Sequence, residues 1–314
     1  MSLVKAAVVG VGHLGRYHSQ KLAALKDKVE FLGLFDLDRK RLQEVAAELK
    51  VPVFSSLEEV VQKAEAVIVA SSTPSHYEVC KALLTAGRHV LVEKPVTQTS
   101  REAEELCRLA EEKKLVFQVG HVERFNPALR SVRKKLKDPL FIECHRLAPF
   151  KVRSTEVDVV LDLMIHDLDV ILSLIQSPPK SVSAVGTPVL TKKIDIANAR
   201  IEFENGAVAN VTASRVSQNT QRKFRVFQQN QYLSIDFQSG EVNLLTKTGE
   251  WNEQELPIEA EAFSLEKGDA LMDEVGSFID AVKEGGAPLV SGRDGMKALK
   301  LAEEILEDAE RRLS

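Results

Sequence analysis

Val4-Lys5-Ala6-Ala7-Val8-Val9-Gly10-Val11-Gly12-His13-Leu14-Gly15 decides how the first half of the chain folds. An apolar run stops at a G-x-G-x-x-G turn, after which Tyr17, Leu22 and Leu25 recur at helical spacing. The order is strand, glycine turn, helix. Gly10 permits the tight turn, Gly12 lets the backbone approach a pyrophosphate, and Gly15 lets helix and strand pack closely. The helix start, with His13 and Leu14, then presents its amides to phosphate charge. A second apolar run, Phe31 to Phe35, ends at Asp36, about 20 residues beyond the last glycine, where a carboxylate accepts hydrogen bonds from an adenosine ribose. That placement favours NAD. Arg39, Lys40 and Arg41 follow closely enough to meet a 2'-phosphate, which keeps NADP as the alternative. A glycine turn that binds nothing is the competing reading, and the elements on either side argue against it.

The alternation of strand and helix continues. Arg41 to Leu49 is an amphipathic helix, Ser56 to Lys63 a second with Ser55 or Ser56 as its N-cap, and Ala66 to Ala70 a buried strand. His76 to Ala86 reads as a helix closed by Gly87. The strand His89-Val90-Leu91-Val92-Glu93 follows and ends in Lys94-Pro95. Thr99-Ser100-Arg101-Glu102 has capping-box spacing and opens the next helix, and Leu115 to Val119 is the next strand. Strands alternating with helices in this way indicate a doubly wound parallel sheet, so the expected class is α/β with a Rossmann domain over residues 1–121. The carboxyl ends of such strands open into the ligand crevice, so Lys94 is expected to face a ligand. Taken alone, a lysine there is more often just solvated.

After Pro127 the texture changes. A helix from Pro127 to Leu136, a strand from Phe141 to Leu147 and a long apolar helix from Thr155 to Ile175 precede alternating runs. These are Ser181 to Val185, Ile194 to Glu204, Ala207 to Ser214, Lys223 to Phe227, Tyr232 to Phe237 and Glu241 to Thr246, with Asn205-Gly206 as a hairpin turn. The expectation is an α+β domain over 122–314 with a large, mostly antiparallel sheet. Amphipathic helices at Ala270 to Lys283 and Asp294 to Arg312 close the chain.

The chain's 314 residues suit two domains. A net charge of -4 with both signs interspersed gives no basic field for nucleic acid or an anionic membrane. Arg130 to Lys137 reads as a solvated helix face. Cys80, Cys107 and Cys144 are odd in number and widely spaced, the profile of a reduced, cytoplasmic protein. Leu3 to Val11 is too short and glycine-punctuated for a signal peptide, and no apolar stretch reaches the length of a membrane span.

Within Asp158-Val159-Val160-Leu161-Asp162-Leu163-Met164-Ile165-His166-Asp167, Asp162 and His166 are four apart and share a helical face. Removing hydride from a secondary alcohol needs a base for the hydroxyl proton, and histidine titrates near neutral pH. Asp162 would fix its tautomer, and Lys94 from the other domain would stabilise the developing alkoxide. An ordinary surface pair is the bland reading; the apolar neighbours Leu161, Leu163, Met164 and Ile165 weigh against it. Asp167 reads as structural. No metal is expected, since a lysine beside these carboxylates competes with a bound cation. His121, Arg124 and Asn126 follow a strand end and are candidates for nicotinamide or substrate, Arg124 for a carboxylate or phosphate. A capped helix start is an equal alternative there.

Gly10 to Gly15, His76-Tyr77-Glu78, Ala86-Gly87-Arg88-His89-Val90-Leu91-Val92-Glu93-Lys94-Pro95 and Gly120-His121-Val122-Glu123-Arg124-Phe125-Asn126-Pro127 together resemble the glucose-fructose oxidoreductase and inositol dehydrogenase family, Gfo/Idh/MocA. The resemblance covers nearly the whole chain. It implies His166 as acid and base, Asp162 in support, Lys94 polarising, and a nicotinamide cofactor held by Gly10, Gly12, His13, Leu14, Gly15, Asp36, Ser71, Ser72, Thr73, His76, Glu93, Lys94, His121 and Arg124. It also implies a homodimer or homotetramer through the second domain's sheet, with the final helix, 294–312, returning to the first domain. One departure is that Ser72 stands where members often carry proline, with Pro74 displaced by two. The G-H-x-E-R-F-N-P string resembles the UDP-N-acetylglucosamine 3-dehydrogenase-like branch and implies a nucleotide sugar oxidised at C3. Free cyclitols or hexoses, a reductase direction, and a non-catalytic dinucleotide sensor are the alternatives; Lys94, Asp162 and His166 argue against the last.

Overall fold

The structure is a computed structural model that describes residues 2–151, 155–251, 257–266 and 268–313. Two compact units emerge, Met1–Val122 with Asp269–Lys297, and Glu123–Gly268 with Ala298–Ser314.

In the first unit the chain runs β1 (Val4–Val9), α1 (His13–Ala24), β2 (Val29–Phe35), α2 (Arg39–Leu49), α3 (Leu57–Lys63), β3 (Ala66–Val69), α4 (Thr73–Thr85), β4 (His89–Glu93), α5 (Ser100–Glu112) and β5 (Phe117–Gly120). The strands form one parallel sheet in the order β2-β1-β3-β4-β5. Five strands build it, at the five apolar runs read from the sequence. Between α2 and α3 the chain makes only a single bridge, Val53 to Leu34, because Pro52 has no N–H with which to extend a ladder. The capping box at Thr99 has both hydrogen bonds, Ser56 accepts from the Glu59 amide at 3.3 Å, and Gly87 takes a left-handed φ of 77° to end α4. The core joins Val4, Ala6, Val8, Leu22, Leu34, Ile68 and Leu91 to Val275, Phe278 and Ile279 of α8 (Ala270–Glu284). A segment far along the chain thus completes this unit.

The second unit begins with a 3-10 turn (Val122–Phe125, its first residue still in unit one), α6 (Pro127–Val132) and β6 (Phe141–Leu147). A π-helical turn at Val160–Met164 leads into α7 (Ile165–Leu174). Then come β7 (Pro179–Thr187), β8 (Ile196–Phe203), β9 (Val208–Ser214), β10 (Gln221–Gln228), β11 (Gln231–Asp236), β12 (Glu241–Lys247) and β13 (Ile258–Ser264). The eight-stranded sheet has the order β13-β12-β11-β10-β6-β9-β8-β7 and is antiparallel except for the β6–β9 pair. Along β8, Ala197, Ala199, Ile201 and Phe203 face the core while Ile196, Asn198, Arg200 and Glu202 face outward, the alternation of a half-covered sheet.

Three expectations change. The helix expected from Thr155 begins only at Val160, because the Asp158 carboxylate turns away to accept the Ile194 amide at 2.8 Å; residues 152–154 lie outside the described residues. The helix expected to Leu136 ends at Val132 and tightens into a 3-10 turn. Edge strand β13 was not anticipated, since its alternation of alanine and glutamate carries almost no apolar signal. The last helix, α9 (Gly292–Arg311), contributes its opening to the first unit, while Leu301, Ala302, Ile305 and Ala309 pack into the second unit's core.

Candidate functional site

Gly10 has φ +87°, and a Cβ there would lie 2.4 Å from the Ser71 amide nitrogen. A Cβ on Gly15 would lie 1.9 Å from the Gly10 carbonyl oxygen. These two glycines are demanded by packing. Gly12 is different: nothing approaches its would-be Cβ more closely than the Arg41 guanidinium at 3.9 Å. It is the N-cap of α1 and brings no side-chain acceptor to the helix amides, and His13 and Leu14 beyond it are exposed. An uncapped helix start with open space over a glycine is a cradle for a phosphate, which fits a dinucleotide. Asp36 sits at the end of β2 and accepts from the Val11 amide at 2.7 Å and the Asp38 amide at 2.8 Å, so the glycine loop itself aims the carboxylate. Arg39 is committed to the Phe54 and Ser55 carbonyls, whereas Arg41 pairs loosely with Asp38 at 3.4 Å.

Ser71 follows β3, Ser72 is the N-cap of α4, and Thr73 and Pro74 form its first turn, where proline's missing N–H costs nothing. The displaced proline therefore fits the helix start. His76 is buried, with Nδ1 3.0 Å from the Pro95 carbonyl and Nε2 3.0 Å from that of Ser71. It ties the β3 loop to the loop after Lys94. Burial holds its pKa below the ordinary histidine value, against the pull of the two carbonyls and Glu93.

Lys94 is half-buried directly beyond β4. The Glu93 carboxylate before it is buried and accepts from the Lys94 amide at 3.1 Å, while its other oxygen meets His18 Nε2 at 2.6 Å. Burial works against its charge, but the hydrogen bond and charge of His18, with the charge of Lys94, hold the carboxyl below the usual carboxylate range. Gly120 makes room for it, since a Cβ there would lie 3.1 Å from Glu93 Oε2. Glu274 of α8 is also buried, and one donor atom from each of His18, Glu93 and Glu274 lies within 4.8 Å of the others. Sequence reasoning missed His18 and Glu274. The signal for Glu274 was its place on the apolar face with Phe278; His18 gave none. His121, next after β5, is buried.

In the second unit Asp162 lies within the π turn and His166 in the first turn of α7, both half-buried. Single π turns recur at functional sites. Asp167 points the other way. Arg146, at an inward position of β6, grips it through Nε at 2.7 Å and Nη2 at 2.8 Å and reaches Glu123 through Nη1 at 2.9 Å. Burial opposes the Arg146 charge, yet Asp167 and Glu123 raise its pKa above the ordinary value. This network seats the helix that carries His166. Arg124 lies 3.4 Å from Asp169, and Asn126 caps α6 through the Ala128 amide at 3.0 Å while donating to Glu123 at 3.2 Å. Asn126 thus has the structural role offered as the alternative reading.

Residues 4–121 match the model of an oxidoreductase family described by its NAD-binding Rossmann fold, and residues 141–234 match the GFO/IDH/MocA C-terminal domain. The chain is 38% identical over 304 residues to UDP-N-acetylglucosamine 3-dehydrogenase from Acidithiobacillus ferrooxidans, covering 96% of each chain. A solved structure of that enzyme superposes with a TM-score of 0.93 over 100% of both chains, at 37% identity. Myo-inositol 2-dehydrogenase from Thermotoga maritima is 24% identical over 95% of this chain and 94% of its own. Levoglucosan dehydrogenase in complex with NADH and levoglucosan shares the fold with a TM-score of 0.88 at 18% identity, covering 99% of this chain and 98% of its own.

Proposed function

Because this chain belongs to the Gfo/Idh/MocA oxidoreductase family, we propose that it oxidises the C3 hydroxyl of a nucleotide-linked N-acetyl sugar, with UDP-N-acetylglucosamine as the preferred substrate. It is an NAD-dependent dehydrogenase acting on CH–OH groups of sugars. The observation that carries the sugar assignment is the full-length similarity to the A. ferrooxidans enzyme that bears that activity in its name.

Bound NAD supplies the hydride acceptor. Gly10, Gly12 and Gly15 shape the pyrophosphate cradle, and Asp36 receives the ribose hydroxyls. Lys94 donates a hydrogen bond to the substrate oxygen and stabilises its developing negative charge. His166 removes the hydroxyl proton, and Asp162, one turn earlier, orients the imidazole and favours its charged form. His121 and Arg124 line the nicotinamide and substrate end of β5. The same groups run the reverse, ketone-reducing direction by returning the proton.

The test follows NADH absorbance with UDP-N-acetylglucosamine, myo-inositol and free hexoses. Lys94→Ala is expected to lower kcat by about 10²–10³-fold and His166→Ala by about 10²–10⁴-fold. Turnover of myo-inositol but not of the nucleotide sugar would overturn the substrate, and undiminished turnover in Lys94→Ala would overturn the catalytic assignment. A missing thermal shift with NAD would revive the non-binding reading of the glycine turn.

The working form in this proposal is a homodimer or homotetramer through the outward face of the second unit's sheet, in the cytoplasm. On that face Phe141, Phe227 and Tyr232 form an aromatic run with ring centroids 5.5 Å and 5.0 Å apart, beside the Arg225–Glu143 pair. Among the described residues no helix is long and apolar enough to cross a membrane.

A further inference from the structure

We propose that His18, Glu93 and Glu274 form a buried proton-sharing triad that holds Lys94 in place, so that His18 and Glu274 are positioning residues for hydride transfer. The inference rests on Lys94 being the polarising lysine. The three come from α1, the end of β4 and α8 and are 0%, 7% and 0% exposed. A contact of 2.6 Å between His18 Nε2 and Glu93 Oε1 is that of a proton-bridged, charge-assisted hydrogen bond. Two ligands of a tetrahedral zinc ion, each about 2.1 Å from the metal, stand roughly 3.4 Å apart, so this spacing is set by a proton and not by an ion.

Two carboxyls buried this close do not both carry charge without a proton among them. The His18 imidazole is placed to share it, and Glu274 is the second carboxyl that determines where it resides. What the triad positions is defined by the other Glu93 oxygen, which accepts the Lys94 amide at 3.1 Å. The carboxyl lies beside Gly120, whose missing Cβ leaves it space, so its position depends on the His18 bond. Helix α1 therefore serves twice: its first turn offers amides to the cofactor phosphates, and its second turn fixes the strand end that carries the lysine. Grip on the dinucleotide and placement of Lys94 are set by one rigid element.

The test uses the full chain with bound NAD. Proton NMR of histidine-15N-labelled protein should show one strongly deshielded ring N–H that vanishes in His18→Leu and moves in Glu274→Gln. With UDP-N-acetylglucosamine, His18→Leu should lose kcat roughly tenfold or more while the KM for NAD stays nearly constant. His18→Gln, which still donates to Glu93, should recover most of that loss. Absence of the deshielded proton, equal activity in the Leu and Gln variants, or a loss confined to the KM for NAD would each overturn the proposal. The Glu274→Gln spectrum decides the proton sharing should His18→Leu fail to fold. Lys94→Ala with full turnover removes the parent reading and this one with it; an inactive Lys94→Ala beside a fully active His18→Leu sinks this inference alone.

Discussion

A methyl group on Gly120 would come within 3.1 Å of Glu93 Oε2 and 3.3 Å of its Cα, tighter than the strand end tolerates without moving the carboxylate. Gly120→Ala should therefore lower kcat with only a modest fall in thermal midpoint, measured on the same preparation; unchanged turnover would show that the carboxylate position is not critical. His89 gives a pH prediction. Its Nδ1 accepts the Val116 amide at 2.9 Å, which a proton on that nitrogen would abolish, and burial holds its pKa below the ordinary value despite Glu65. His76 is lowered in the same direction. A lowered folded-state pKa means that the unfolded chain takes up the proton first, so stability is complete above about pH 6.5 and falls as pH drops toward the folded pKa values. Thermal midpoints without NAD should decline from about pH 6.5, before the carboxylates begin to protonate near pH 4.5. His89→Gln should flatten part of that decline, and a level midpoint from pH 7 to 5.5 would contradict the assignment. At this scale local spacing singles out the glycines, Asp36, Lys94, Asp162 and His166 as candidates, and the crowding at Gly10 and Gly15 bears out the turn they form. It does not single out His18, because its partner lies 75 residues away.

The helix that carries His166 is only as well placed as its anchor. Arg146→Met leaves the buried carboxylates of Asp167 and Glu123 without their shared cation, and should cost about 3–5 kcal/mol in denaturant unfolding. Adding Asp167→Asn and Glu123→Gln should return most of that stability, since the penalty comes from unpaired charge; no recovery would mean that Arg146 acts through packing instead. The hint in the sequence was an arginine on the inward set of β6, with Ile142 and Cys144. Most strands and helices were legible from alternation and caps. The late start at Val160 and the edge strand β13 were not, since each is decided by a pairing partner distant in sequence.

For the molecule as a whole, the outward sheet face is the feature with a solution consequence. Phe227→Glu places a charge between Phe141 and Tyr232, and should shift sedimentation from the assembled species to the monomer with the circular dichroism spectrum retained. A native-like oligomer in that variant would move the interface elsewhere. Length and the change of texture after Pro127 suggested two domains, and the discontinuity was expected in the final helix, 294–312, whereas Asp269–Lys297, with α8, makes the return and Ala298–Ser314 stays with the second unit. The apolar face of α8 says that it is buried without saying against what. That discontinuity bears on how the protein is made. The nucleotide-binding unit ends its first segment at Val122 and is completed only by residues up to Lys297. At about 5–20 residues per second, a ribosome needs roughly 10–35 seconds to supply the rest. During that interval the emerging parallel sheet lacks Val275, Phe278 and Ile279, and its apolar flank stays open to whatever else is in the cell.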